Sequence, residues 1–233
     1  MPAIKLSSDF LRYLASLPSH GEDEPLQRLP TLNELSGELG VSVAKLREQV
    51  EAAKTLGFIS VQPRTGIQRL TYSFYPAVQQ SLAYACALDW RYFELFYDLR
   101  YHIEATYFHQ AVQVLQPDDL EKLQSLLHGA REKLRGHPIQ IPHLEHRELH
   151  LSIYRRLENP FVSGLLEAYW DVYEAVGLNL YAAHDYLEQV WAYHERMVTS
   201  LCGRDVNSAY QALVEHVDLF SRLPKGGTPL EVG

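Results

Sequence analysis

The chain has 233 residues and a formal charge of -8, with 46% hydrophobic side chains, which excludes a uniformly basic nucleic-acid binder and allows one large core or two modest ones. Its two cysteines, Cys86 and Cys202, lie far apart with no C-x-x-C pairing, which excludes a disulfide framework or a thiolate zinc site and points to a reducing cytoplasm. No apolar run approaches the roughly 20 residues needed to cross a bilayer, and the N-terminus lacks a long apolar core after its charges, so the expectation is a soluble, unexported protein without a membrane partner.

Phe10, Leu11, Leu14 and Leu17 recur at helical spacing, and Pro18 with Gly21 stops that helix. A polar loop, Ser19 to Gln27, follows. Thr31 reads as the N-cap of a short helix carrying Leu32, Leu35 and Leu39, with Glu34 completing a capping box and Gly40 ending it. Ser42 caps a further helix, Val43 to Leu56, whose buried stripe is Leu46, Val50 and Ala53, and Gly57 closes it. Two β-branched runs, Phe58 to Val61 and Gly66 to Leu70, flank Gln62-Pro63-Arg64-Thr65 in the pattern of a hairpin. This order predicts a winged helix-turn-helix DNA-binding domain over residues 1–75, with Tyr72 to Pro76 as a linker. Residues 76–233 are periodic in the helical sense, with breaks at Pro117, Gly136 to Pro142, Asn159-Pro160, Ala182 to His184 and Gly203 to Asp205. The fold class is therefore mainly α, a winged helix joined to an all-helical bundle of about six to seven helices.

The first 75 residues carry eight basic side chains against eight acidic ones, and the remainder carries 13 against 21. The module nearest to DNA is thus the less acidic part. Ser42, Lys45 and Arg47 occupy the first turns of the candidate recognition helix, where they reach phosphates and base edges. Arg64 and Gly66 sit at the hairpin tip, and Thr31 at the start of the preceding helix completes the candidate DNA-contacting set. One winged helix covers a half-site, so the reading implies a homodimer on double-stranded operator DNA.

His146 and His150 are four apart, so a helix places both on one face within reach of a single ion. His194 and His216 fall on the last two helices, which an antiparallel hairpin would bring to the level of the first pair. Neutral imidazoles suit zinc, nickel, copper or iron. A chain with 11 histidines also produces such pairs by chance, and His109 and His184 read as ordinary hydrogen-bonded residues. Arg100 either clamps a small carboxylate effector held against the metal or pairs with Glu104 one turn on.

Leu29 to Ser36, Leu39 to Ser42, Leu46-Arg47-Glu48, Leu56 to Ile59 and Arg64-Thr65-Gly66 resemble the reader domain of GntR-type bacterial transcription regulators. Members commonly carry an arginine after the serine and a proline before the first apolar residue of the recognition helix, whereas this chain has Val43 and Lys45. Arg100 to Glu104, His146 to His150, Glu158-Asn159-Pro160, His194, Gly203-Arg204-Asp205 and His216 are similar to the helical FCD sensor domain of the FadR-like branch. That resemblance implies a metal set of an aspartate, a histidine four residues later and two further histidines. The histidines fall on His150, His194 and His216, and His146 occupies the aspartate position. His146 then ligates in its place, turns away, or leaves the role to Glu145 or Glu148.

The implied function is a transcription regulator controlled by an organic acid at a zinc or nickel site. A repressor answering to the ion itself, and a His-ligated metalloenzyme, are the rival readings.

Overall fold

The structure, a computed structural model, describes residues 5–18, 26–175 and 184–221. It divides into two compact units, Met1–Ala77 and Val78–Gly233.

The first unit holds α1 (Asp9–Ser16), α2 (Leu32–Leu39), α3 (Val43–Thr55), β1 (Ile59–Gln62) and β2 (Gly66–Arg69). Each helix begins on a polar side chain that accepts an otherwise unpaired backbone N–H: Ser8 from Leu11, Thr31 from Glu34, and Ser42 from Lys45. The Thr31 capping box is complete in both directions, and Gly40 ends α2 at a φ of 62° that side-chain-bearing residues avoid. Phe10, Leu35, Leu46 and Ala53 are fully buried between the helices and the hairpin. Sequestering a side chain such as Phe10 or Leu46 contributes roughly 1.5–3 kcal/mol, which is what fixes the tilt of α3 on the unit.

The hairpin pairs Val61 with Ile67 and Gln62 with Gly66, so β1 runs one residue further than the β-branched run and the turn is Pro63-Arg64-Thr65. A third segment joins the sheet. Leu29 N–H donates to the Ile67 carbonyl and Arg69 N–H to that of Gln27, making a bridge between Arg28 and Gln68. This pairing spans about forty residues of chain, so no local pattern announces it. The rest of the predicted polar loop, residues 19–25, lies outside the described residues.

The expected linker is shorter than Tyr72 to Pro76, because α4 (Tyr75–Leu88) starts at Tyr75. Pro76 sits in the first helical turn, where its missing N–H costs nothing, and its ring packs on Gly57 so closely that a Cβ there would overlap it. Gly57 is therefore required twice, for this approach and for its φ of 75°.

Six more helices follow: α5 (Arg91–Gln113), α6 (Pro117–Arg135), α7 (His143–Tyr154), α8 (Pro160–Ala175), α9 (His184–Cys202) and α10 (Val206–Ser221). Seven helices among the described residues thus make up α4 to α10, and the extra break relative to the five read from sequence is at Asp89-Trp90. There the Asp89 carboxylate accepts the Arg91 N–H at 2.8 Å and restarts the helix without glycine or proline. The predicted break at Ala182 to His184 falls mostly outside the described residues. Pro117 starts α6 at its first turn, as its fixed φ favours.

The bundle core is built on Phe108, Leu123, Leu149, Ile153, Leu166 and Leu213, all essentially fully buried. α9 and α10 form an antiparallel hairpin through Gly203, Arg204 and Asp205, with Asp205 capping α10 by accepting from Ser208 N–H. α5 crosses α7, α8 and α10, and α6 packs on α7 and α9. This arrangement turns one face each of α5, α7, α9 and α10 toward a common interior. No helix among the described residues is long and apolar enough to cross a membrane.

Candidate metal centre

The four histidines meet in that interior. His146 and His150 come from successive turns of α7, His194 from α9 and His216 from α10. One nitrogen from each ring lies within 4.8 Å of one nitrogen from every other. Two nitrogens bound to one zinc at about 2.0–2.1 Å stand roughly 3.3 Å apart in a tetrahedron, so the set needs only a modest contraction to close on an ion. The Nε2 atoms of His150 and His194 are already 3.1 Å apart. His194 is the hub, with ring centroids 4.5 Å from His216, 4.8 Å from His146 and 5.1 Å from His150.

Three of these rings hold a buried nitrogen without a hydrogen-bond partner, namely His146 Nε2, His194 Nδ1 and His216 Nδ1. Each such group costs on the order of 1–3 kcal/mol. Convergence of unsatisfied imidazoles in a core is poor design for packing and good design for an ion. Burial holds His146, His194 and His216 well below the usual histidine range, reinforced by the neighbouring imidazoles and Arg100. His150 is also lowered, because burial outweighs the opposing pull of Glu104. All four are thus neutral near pH 7, the form that donates a lone pair to a metal.

That depression gives a pH prediction. An unfolded histidine binds a proton below about pH 6.5, while the buried one does not, so the unfolded chain takes up more protons and stability falls as pH drops. The metal-free protein is expected to lose about 1.4 kcal/mol per pH unit for each of the four histidines below pH 6. Chemical denaturation at pH 7.5, 6.0 and 5.0 measures this, and equal stability at all three would disprove the neutral cluster.

His150 is held from behind. Its Nδ1 lies 3.1 Å from Glu104 Oε1, and Arg100 Nη2 forms a 2.8 Å ion pair with Glu104 Oε2. Glu104 is 0% and Arg100 3% exposed. Burial pushes the Glu104 carboxyl up, yet Arg100 and His150 together hold it down to about 2, so it stays ionised. The same Nδ1 also lies 3.0 Å from Arg100 Nη2; in the tautomer that donates its Nδ1 proton to the ionised Glu104, Nε2 is bare and faces His194. The Arg100 guanidinium also lies over the rings of Tyr169 and Trp170, at 4.6 Å and 5.0 Å from their centroids. Of the two roles read for Arg100, the structure displays the pairing with Glu104; its Nε retains no partner. Glu104 itself was legible only as that arginine's neighbour, since nothing local shows a carboxylate meeting a histidine 46 residues away.

Glu145 and Glu148 do not turn to the site. Glu145 pairs with Lys133 at 2.7 Å, and Glu148 with Lys122 and Arg155. The aspartate position is filled by His146 alone, packed edge-on against Trp170. Beside His146 a cavity of about 20 Å³ is bounded by His143, Tyr173, Tyr186, Val190 and Trp191, which is room for a water molecule.

In the reader unit, Ser42, Lys45, Arg47 and Arg64 are exposed, and Gly66 takes a φ of 73° at the hairpin turn. Lys45 has an ion pair with Asp9 at 3.8 Å that a phosphate would displace. The Thr31 hydroxyl is occupied by the capping box, donating to Glu34 at 2.7 Å. Arg28, missed in the sequence reading, is exposed in the third sheet segment, and its guanidinium flanks Gly66.

A small winged-helix unit followed by an all-helical bundle defines a class, that of two-domain DNA-binding regulators. Residues 95–219 match the FCD domain. The chain belongs to the FCD-domain family. It is 24% identical over 213 residues to the uncharacterized HTH-type transcriptional regulator YcbG of Bacillus subtilis, covering 91% of this chain and 87% of that one. Its fold is similar to Streptococcus agalactiae GntR, with a TM-score of 0.65 at 17% identity over 91% of this chain and 95% of the other. The E. coli McbR/YncC structure aligns with a TM-score of 0.44 at 22% identity, over 85% of this chain and 89% of that one. The curated relative is named as a transcriptional regulator, which favours the regulator over the metalloenzyme reading.

Proposed function

We propose that this regulator binds a palindromic operator as a homodimer in the cytoplasm and that occupancy of a zinc or nickel site in the helical bundle, together with a small carboxylate, controls its affinity for DNA. The observation that carries the sensing half is the convergence of four neutral imidazoles from three helices within 4.8 Å. His146, His150, His194 and His216 would hold the ion, which supplies Lewis acidity and two positive charges uncompensated by any ligand. Such a centre attracts anions. Glu104 orients His150, and the partnerless Nε of Arg100 is a buried donor available to an acid.

The reader half rests on Ser42, Lys45 and Arg47 at the exposed start of α3, with Arg28, Arg64 and Gly66 along the wing. The Thr31 backbone and its capping box hold α2 in place behind them. On a duplex selected from a random pool, Lys45→Ala is expected to weaken binding and to reduce the salt slope by about 1, as the loss of one phosphate contact does. An unchanged slope removes Lys45 from the interface.

A second reading has its own support, because the cavity beside His146 admits a water but no organic acid without movement of its walls. In that reading the ion alone is the signal. Fluorescence anisotropy on the selected duplex separates them: apo, zinc-loaded and nickel-loaded protein are compared, each with and without citrate, malate and related acids. A response to carboxylate only in the loaded protein supports the proposal. A response to metal without any acid supports the metallosensor, and a full carboxylate response in metal-free protein overturns the site.

A further inference from the structure

Of the four histidines of the centre, His150, His194 and His216 are buried and His146 alone is partly exposed. The cavity against His146 is rimmed by Ile141, His143, Tyr173 and Tyr186, each half-buried, and backed by Val190 and Trp191, both buried. An acid approaching the centre along this route meets His146 first. The cavity of about 20 Å³ holds a water as it stands, and a larger body enters when the half-buried rim side chains turn outward, without disturbing the buried wall behind them.

The chemistry of the walls narrows the kind of acid. No Lys, Arg, Asp or Glu borders the cavity, whose sides are aliphatic or belong to the rings of Tyr173, Tyr186 and Trp191. Arg100 is already paired with Glu104 at 2.8 Å. The centre can therefore balance one carboxylate, whereas a second on the same molecule would lie against carbon without a partner. The rings of Trp170, Tyr173 and Trp191 stand 4.7 Å, 6.0 Å and 6.0 Å from that of His146. A flat ring added among them would make the offset and edge contacts that aromatic pairs favour at about 4.5–7 Å. Burial pushes the Tyr173 and Tyr186 hydroxyls up, Tyr186 to about 12, so both stay protonated and uncharged. Trp170 contributes something further. It is 1% exposed, and its Nε1–H has no hydrogen-bond partner, which leaves a buried donor beside His146 that a carboxylate oxygen would satisfy.

We infer that the acid sensed at this centre is a monocarboxylate with an aromatic body, its carboxylate directed to His146 and the Trp170 N–H and its ring set among Tyr173, Tyr186 and Trp191. The inference rests on the metal-and-acid reading proposed above and adds the class of the acid. Dicarboxylates and tricarboxylates fail on charge, and acetate fails on contact area. A hydroxyl on the ring is accommodated, because a protonated tyrosine can either donate to it or accept from it.

The test is calorimetric titration of the zinc-loaded full chain with benzoate, phenylacetate, acetate and succinate, in a buffer free of carboxylates. Benzoate or phenylacetate is expected to bind at least about 10-fold more tightly than acetate and succinate. Tyr186→Arg and Ile141→Arg, each verified as folded by circular dichroism, put a cation on the rim from α9 and from the segment before α7. Each is expected to narrow the preference for benzoate over succinate at least about 10-fold. A preference unmoved by both changes overturns the cavity as the place of the ring. Succinate binding as tightly as benzoate to the wild-type protein overturns the aromatic class and leaves the metal-and-acid reading standing. Benzoate binding equally well after treatment with chelator, or no acid binding to zinc-loaded protein, overturns both.

Discussion

His194→Ala is expected to abolish metal binding at sub-millimolar concentrations, a loss exceeding the 10–100-fold typical of changes behind a ligand. The reason is its position. With the His194 ring removed, the remaining rings are separated by 5.2 Å, 5.5 Å and 5.9 Å between centroids, all longer than the distances His194 itself makes. Folding should survive, because His194 is a buried polar group whose Nδ1 has no partner, so its removal relieves one unsatisfied atom while opening a small cavity. Titration calorimetry with zinc and nickel, paired with thermal melts in chelator, measures both halves. Wild-type affinity in this variant would disprove the four-histidine centre, and a metal-independent collapse of the fold would show that His194 is a packing residue.

The second large effect is on stability. Arg100→Met keeps an apolar stem of similar length but strips the guanidinium that faces Glu104 at 2.8 Å and lies over Tyr169 and Trp170, leaving a carboxylate in the core beside the neutral His150. Breaking one side of a buried ion pair costs about 3–5 kcal/mol, which for a domain of this size lowers the melting temperature by roughly 10 °C. His150 should then take up a proton to balance Glu104, and a protonated imidazole no longer donates to an ion, so metal affinity at pH 7 falls as well. Arg100→Met/Glu104→Gln, which removes both charges, should recover most of the lost stability. A single variant melting within about 2 °C of wild type would show that the pair contributes little.

The sign of the pH response at Glu104 is opposite in origin to that of the histidines yet acts in the same direction. Its carboxyl is depressed from 4.5 to about 2 in the folded protein, so the stability it contributes is present above pH 4.5 and disappears as pH falls toward 2. Acid therefore attacks the centre twice, first through the imidazoles and then through the carboxylate behind them.

Local signals in the sequence were reliable wherever one turn of chain determines the outcome. Thr31 with Glu34, Ser42 before α3, Gly40 in its left-handed conformation and Pro117 opening α6 all act within a few residues of themselves. The His146 and His150 pair was legible for the same reason, since helical geometry alone puts them on one face. His194 and His216 became legible through the hairpin that Gly203 to Asp205 implies. What escaped was set by distant contacts. Pro76 looks like a breaker until Gly57 provides a surface for its ring, and Arg28 looks like loop until Gln68 pairs with it. The Asp89 turn escaped differently, since a side-chain oxygen replaced the glycine or proline that punctuates most breaks. Glu104 escaped because a helix interior hides which neighbour a carboxylate will find.

The wing is tied down on its outer edge. Arg69 donates from its backbone to Gln27 and from its guanidinium to the Pro18 carbonyl at 2.7 Å, while Leu29 bonds to Ile67. A hairpin anchored at three points, by Gln27 and Leu29 ahead of α2 and by Pro18 after α1, would meet the proposed operator already ordered and surrender little conformational entropy on docking. Discrimination among operator sequences would then fall to rigid shape and charge, and loosening any of those anchors is expected to blur the choice of site before it weakens the grip.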